Sequence, residues 1–389
     1  MAAVEARAEK HRALRILGTR GVPAAHGGFV TFAEHLALHL VQRGWRVTVY
    51  CQEEGDGPAV QDEWQGVQRV QIPVSQPGPR GTVVFDWKAT RHAAAAGELC
   101  LTLGYNTAVF CAWLRLRGVP NLINMDGIEW QRDKWGAAAK AWFWFNEQAG
   151  CRLGNHLVAD HPEIAKHLAR NMSGTAISKF STIAYGADAL AGLSDAPVRA
   201  LGLEPGRYLT LIARPEPENS VLDVVQAFAR RRRSHTLVVL GAYSESNPYH
   251  RAVRAAASED VRFLGAIYDK TVLHALRFHC SAYVHGHRVG GTNPSLVEAL
   301  GAGNAVLAHD NRFNRWVAGD AARYFEGEDG CAAALDALLV DEPGLQALRV
   351  AAKQRFEQAF TWPLILRQYE TLLEAWLADG GARRAEVSA

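Results

Sequence analysis

Short apolar runs bounded by Gly, Pro and Asn alternate with longer segments of helical period along most of this chain, and the series runs twice. That alternation belongs to parallel α/β domains, because a strand buried on both faces is a short apolar run and its crossover is a helix. The first series of expected strands is 14–17, 47–50, 67–72, 99–103, 121–124 and 156–159. It stops in the Ala-, Gly-, Asp- and Pro-rich stretch from Gly186 to Pro205, read as a linker, and restarts at 208–212, 237–240, 261–264, 282–284 and 305–308. Beyond Pro363 an amphipathic helix through Leu366, Tyr369, Leu372, Leu373 and Trp376 closes the chain. The expectation is an α/β protein with an N-terminal Rossmann-like domain over residues 1–190 and a second over 200–360. Residues 361–389 would form a helix packing across both, and a tail.

Composition narrows the function classes. The 389 residues suit two to three domains at about 150 residues each, and 48% hydrophobic residues can bury sizeable cores. Lys+Arg 42 against Asp+Glu 40 leaves +2, a balance that disfavours nucleic acid as the partner. The first 13 residues mix charges, and no apolar run approaches the roughly 20 residues of a membrane span, so neither a signal peptide nor a transmembrane anchor is expected and the chain reads as cytoplasmic. Cysteines 51, 100, 111, 151, 280 and 331 lack zinc spacing, and His26, His285, His287 and His309 form no metal-spaced cluster. Reduced buried thiols, solvated or core histidines and no metal are the expectation.

Four segments carry candidate chemistry. The first strand runs into a Gly-rich loop, residues 18–28, ending at Gly27 and Gly28 before a helix. Its backbone N–H groups and helix end suit oxyanions or sugar hydroxyls, although a tight turn also needs such glycines. It is G-x-x-G, not the dinucleotide fingerprint G-x-G-x-x-G, so a nicotinamide cofactor is not expected. After strand 282–284, Gly290, Gly291 and Thr292 lead to Asn293 and Pro294, suited as helix cap and first helical residue. Glu298 follows about one turn later, where a carboxylate either accepts bonds from a ribose diol or merely solvates the helix. Arg214, past strand 208–212, either pairs with a diphosphate or forms a surface ion pair with Glu216 or Glu218. Asp126 and Glu129 follow strand 121–124 at a strand C-terminus, where they serve an acceptor or a base; a capping role competes for Asp126. The adjacent aromatics Trp142, Phe143, Trp144 and Phe145 lie near Lys134, Lys140 and Arg152, and read either as core or as a lipid-facing patch.

Taken together, GTRGVPAAHGGFVTFAEHLALHL, NMDGIEWQRDKWG, STIAYGAD, ARPEPEN and HRVGGTNPSLVEALGAGNAVLAHDNRFNR resemble the rhamnosyltransferase-like branch of glycosyltransferase family 4 over nearly the whole chain. The resemblance implies a GT-B fold, two Rossmann-like domains facing an interdomain cleft with a C-terminal helix crossing back. It places the nucleotide sugar mainly on the C-terminal domain and the acceptor mainly on the N-terminal one. It further implies retaining, metal-independent transfer without a cofactor. Glu298 resembles the second acid of the family's E-x7-E motif, which binds ribose hydroxyls, while the first acid falls at Gly290. Arg214 matches the diphosphate-binding arginine, and the usual companion lysine falls at Asn219. Asp126 falls near the acceptor-site polar residue, where many relatives carry histidine.

The activity so implied is transfer of a sugar from a nucleoside diphosphate donor to a saccharide or lipid-linked saccharide in polysaccharide biosynthesis, at a cytoplasmic or inner-membrane-face location. The branch points to L-rhamnose from dTDP-rhamnose as one such donor. Two rivals stand beside it: a GT-B nucleotide-sugar epimerase, and a sugar-nucleotide-binding protein that has lost activity.

Overall fold

The computed structural model describes residues 12–24, 27–170 and 179–379. These fall into two compact units. The first holds the described residues up to Gln131, then Gly136–Ala184 and the chain from Pro363; the second holds Arg132–Trp135 and Tyr185–Trp362. His26 and the tail from Gly380 lie outside the described residues.

The first unit is built on one eight-stranded sheet: β1 (Ala13–Leu17), β2 (Arg46–Glu54), β3 (Val60–Trp64), β4 (Val67–Val74), β5 (Leu99–Leu103), β6 (Asn121–Asn124), β7 (His156–Ala159) and β8 (Phe180–Thr182). Their order is β3-β4-β2-β1-β5-β6-β7-β8, and only β3 runs antiparallel, against β4. Central strands are apolar on both faces because helices cover both, and each fully buried Leu, Ile or Val is worth about 1.5–3 kcal/mol; Leu14, Ile16, Val47, Val49 and Leu101 are all fully buried.

The second unit carries a six-stranded, wholly parallel sheet: β9 (Tyr208–Ile212), β10 (Thr236–Leu240), β11 (Val261–Gly265), β12 (Ala282–His285), β13 (Ala305–His309) and β14 (Ala322–Phe325). Its order is β11-β10-β9-β12-β13-β14, the doubly wound arrangement in which strand order reverses between the first and fourth strands. The same reversal stands in the first sheet between β1 and β5. A crevice at such a reversal, outside the strand C-termini, is where ligands bind in open α/β sheets.

All eleven expected strands are present, and β3, β8 and β14 were not foreseen. The stretch expected to be a linker is instead built into the second unit. It contains the short helix Ala196–Ala200, and Val198 and Leu203 bury against Tyr208, Leu240 and Leu276. The closing helix spans Trp362–Asp379. Trp362 stacks edge-on against Tyr185 in the second unit, whereas the rest of the helix belongs with the first. There Tyr369 packs on Phe32 and its hydroxyl accepts a bond from Asn124 at 2.8 Å. Glu370 meets His39 at 2.9 Å and Glu374 meets Arg12 at 2.8 Å.

Candidate ligand site at the switch point of the second sheet

Past β9 the chain turns through Arg214 and Pro215 into the 3-10 turn Pro217–Asn219, then enters the helix Val221–Ala229. Arg214 is exposed, and among the described residues no hydrogen bond or ion pair holds its guanidinium. Its carbonyl accepts a 2.8 Å bond from the Asn219 side-chain amide. Asn219 is buried, and its Oδ1 has no partner. The surface pair weighed for Arg214 does not form: Glu218 is buried and takes Arg132 Nε at 2.6 Å on one oxygen and the Asp133 N–H at 3.2 Å on the other.

The segment after β12 lies directly on this turn. A Cβ on Gly286 would stand 2.2 Å from the Asn219 carbonyl oxygen, so only glycine permits the approach. The Arg288 N–H donates to the Glu218 carbonyl at 2.9 Å, and the Arg288 guanidinium donates to Ser220 Oγ at 2.7 Å and pairs with Asp223. The rings of His285 and His287 stack, with centroids 4.3 Å apart and planes 11° from parallel. His285 Nε2 and His287 Nδ1 are buried without partners. Burial pushes the His287 imidazole down to about 3, helped by Arg132 and Arg214; burial, then His287 and His309, holds His285 well below the usual histidine range. Both are therefore neutral at pH 7, and both are residues that the sequence reading left as solvated or core. Only their position after a strand, in H-G-H, hinted otherwise.

Gly290 adopts φ +141° with open space around the position of a Cβ. The point where the resemblance looks for an acid is thus unobstructed but has a backbone that an L residue rarely takes. Gly291 and the buried Thr292 follow. Asn293 caps the helix Pro294–Gly301, its Oδ1 accepting from Ser295 N at 3.1 Å and Ser295 Oγ at 2.9 Å. Glu298, one turn in, pairs through Oε2 with Arg277; Arg277 is 3% exposed and Glu298 36%. Arg214, Asn219, Gly290, Gly291, Thr292, Asn293 and Glu298 are thus carried by the connections leaving the two strands that flank the reversal.

The first unit places its predicted residues on connections leaving β1 and β6. Gly27 (φ +104°) precedes the helix Gly28–Gln42. Asp126 is half-buried at φ +51°, its N–H donating to Asn124 Oδ1 at 3.0 Å, and the Glu129 N–H donates to the Tyr105 hydroxyl at 2.8 Å. Missed in the sequence was Asp86, on the helix Gly78–Ala96: it accepts from Thr107 Oγ1 at 2.7 Å, and burial outweighs that bond and the Arg20 charge to push its carboxyl up to about 6. Nothing in the sequence around Asp86 distinguishes it from a solvated helix acid. The aromatic run proves mostly exposed, against the core alternative: Trp142, Trp144 and Phe145 are 39%, 51% and 49% accessible, because their helix Ala137–Leu153 buries Asn146, Glu147, Gly150 and Cys151 instead. Among the described residues no group of three or more His, Cys, Asp or Glu could hold a metal ion, and no helix is long and apolar enough to cross a membrane.

Comparison with known proteins gives the fold. Over 94% of this chain and 99% of the other, the structure superposes on sucrose-phosphate synthase from Thermosynechococcus elongatus with a TM-score of 0.79 at 16% identity. Anabaena HepE in complex with UDP and glucose matches over 94% and 99% with a TM-score of 0.73 at 15% identity. The chain therefore has the two Rossmann-like sheets of the GT-B glycosyltransferase fold. In sequence, residues 11–188 match a family described as "Domain of unknown function (DUF1972)". A phosphatidyl-myo-inositol mannosyltransferase of Mycolicibacterium smegmatis is 30% identical over 217 residues, 51% of this chain; the match spans about half, 55%, of that relative's length.

Proposed function

We propose that this protein is a glycosyltransferase that moves a sugar from a nucleoside diphosphate donor to a saccharide acceptor carried on a lipid. One observation carries this: the connections leaving β9 and β12 hold an unpaired arginine, glycine-rich backbone, a helix N-terminus and a carboxylate one turn in, the chemistry that suits a diphosphate joined to a ribose. That one relative is a mannosyltransferase supports sugar transfer, and HepE with UDP and glucose bound supports the donor class.

As the bond from the sugar C1 to the diphosphate breaks, its electron pair leaves with the phosphate oxygen. Arg214 and the amides of Gly290 to Thr292 stabilise that growing charge. The acceptor hydroxyl attacks C1 on the same face and its proton passes to a phosphate oxygen, giving retention; Asp126, with Glu129, orients the acceptor, and Glu298 Oε1 takes a hydroxyl of the nucleoside sugar, the 3′-hydroxyl where that sugar is deoxyribose. No metal enters these steps. L-rhamnose from dTDP-rhamnose is the donor that the motif resemblance favours, and the exposed Trp142, Trp144 and Phe145 serve as a peripheral contact with the acceptor's membrane.

The test is product analysis with UDP-, GDP-, ADP- and dTDP-sugars against lipid-linked and free saccharides, with and without EDTA. A glycoside with the donor's anomeric configuration, formed equally in EDTA, is the expected product. Turnover abolished by EDTA and restored by Mg²⁺ would overturn the metal-independent step. Donor binding without turnover on any acceptor would make the chain a sugar-nucleotide-binding protein instead.

A further inference from the structure

We infer that Glu147 is a positioning residue for the loop after β6: through the Trp130 indole it fixes the segment that holds Asp126 and Glu129. This role rests on the acceptor function proposed above for those two acids. The helix Ala137–Leu153 is turned against its own composition, burying Asn146, Glu147, Gly150 and Cys151 while Trp142, Trp144 and Phe145 stay exposed. An amide and a carboxylate are costly to bury unless hydrogen bonds satisfy them, and here loops leaving the first sheet supply those bonds. Asn146 Oδ1 accepts from the Val109 N–H, past β5, at 3.0 Å. Glu147 Oε2 accepts from Trp130 Nε1, past β6, at 3.0 Å, and its Oε1 lies 3.0 Å from Nε2 of His167 on the helix Pro162–Arg170.

Gly150, one helical turn beyond Glu147, receives the other end of the same loop. A Cβ there would stand 3.1 Å from Met125 Cε, so the missing side chain makes the room that Met125 fills. Met125 and Trp130 bracket residues 126–129, and one helix face thus holds both ends of that segment. Within it Asp126 stands at φ +51°, a left-handed conformation that its surroundings have to select. The Glu129 N–H donates to the hydroxyl of Tyr105, which is itself buried. The Glu147 side chain is 1% exposed and can use both oxygens without competition from bulk water. An indole N–H on a carboxylate is a charge-assisted bond, stronger than one between neutral groups. An apolar residue at position 147 would pack as well but would strand the Trp130 N–H.

The competing role for Glu147 is a bond that only stabilises the first unit. A double-mutant cycle separates the two, read on the lipid-linked and free saccharides that yield product in the screen described above. Trp130→Phe removes the N–H and keeps a ring, Glu147→Leu removes the acceptor, and Glu147→Gln restores an oxygen to the indole. Trp130→Phe and Glu147→Leu should each lower kcat/KM for the acceptor by about 10-fold, as for one hydrogen bond to a charged group. The donor KM should stay unchanged, and Glu147→Gln should recover most of the loss. In a chain already bearing Asp126→Asn and Glu129→Gln, Trp130→Phe should cost less than about twofold, since the groups it positions are gone. Hydrogen exchange at the Glu129 amide should quicken in Trp130→Phe. The full loss repeated in that background, or no loss in folded Trp130→Phe, would overturn the inference and leave sugar transfer standing. Should Glu147→Leu not fold, Trp130→Phe and Glu147→Gln decide by the same cycle. A wild-type chain that turns over none of the saccharides would overturn the transfer reaction and this role with it.

Discussion

Glu298→Ala is expected to destabilise the fold as well as weaken nucleotide binding, because Glu298 answers the charge of Arg277. Arg277, on the helix Lys270–Phe278, is 3% exposed, and its Nε has no partner. Removing one member of a fully buried pair costs about 3–5 kcal/mol. Glu298 is 36% exposed, so solvent takes up part of the orphaned charge, and about 2–3 kcal/mol is the expected loss. For a unit of this size that is a fall in Tm of about 4–12 °C. Arg277→Met should cost less, since the glutamate it strands can reach water, and adding Arg277→Met to Glu298→Ala should recover stability. Thermal unfolding without nucleotide, followed by near-UV circular dichroism, measures all three variants. A Glu298→Ala protein melting within 1 °C of wild type, or a double variant as unstable as the singles summed, would refute the pairing. Well below the melting range, the same variant tests the role at the nucleoside sugar: it should level the affinities of the tightest-binding nucleoside diphosphate and of its 3′-deoxy analogue.

Arg214→Ala should lower kcat by about a hundredfold or more, since its charge acts on the departing diphosphate; steady-state kinetics showing only a raised KM would point to uniform binding instead. Burial holds His285 well below the usual histidine range and His287 down to about 3, so the unfolded chain, whose histidines titrate near about 6.5, binds more protons than the native one as the pH falls below that value. Stability is therefore full above about pH 6.5 and falls on acidification by up to about 1.4 kcal/mol per pH unit for each ring. His287→Asn should flatten that slope in urea unfolding at pH 7 and pH 5, and an unchanged slope would contradict a neutral buried imidazole. Trp144→Ser with Phe145→Ser should reduce liposome binding and activity on a lipid-linked acceptor while sparing a short water-soluble analogue; equal loss on both with a lower Tm would return these rings to the core.

Interior strands were legible because burial on both faces writes itself as an uninterrupted apolar run. The three unforeseen strands escaped for local reasons. β3, reading VQDEW, is almost wholly exposed, and its turn places Gln65 at φ +48°, where hairpin signals look for Asn or Gly. β8 and β14 are sheet-edge strands of three and four residues. The linker misreading came from weighing composition, since the Ala- and Gly-rich stretch hides Val198 and Leu203, which bury. The site was legible where chemistry is local: Asn293 before Pro294 is a cap by residue type and position. It was illegible where partners are far apart in the chain, as for Glu218 with Arg132 or Glu298 with Arg277, because no periodicity links positions 86 or 21 residues apart.

The contact between Gly286 and the Asn219 carbonyl also bears on how variants of this chain should be weighed. Gly286 carries no charge, donates no side-chain bond and would pass through any ranking by chemical role. One methyl group there would still have to displace main chain, since the opposing atom belongs to a turn that Arg288 and Asn219 tie on both sides. Tolerance to change in this crevice is consequently low at a residue whose missing side chain has nothing to offer a ligand, and a substitution scan scored on activity alone would mistake that spacing requirement for a functional group.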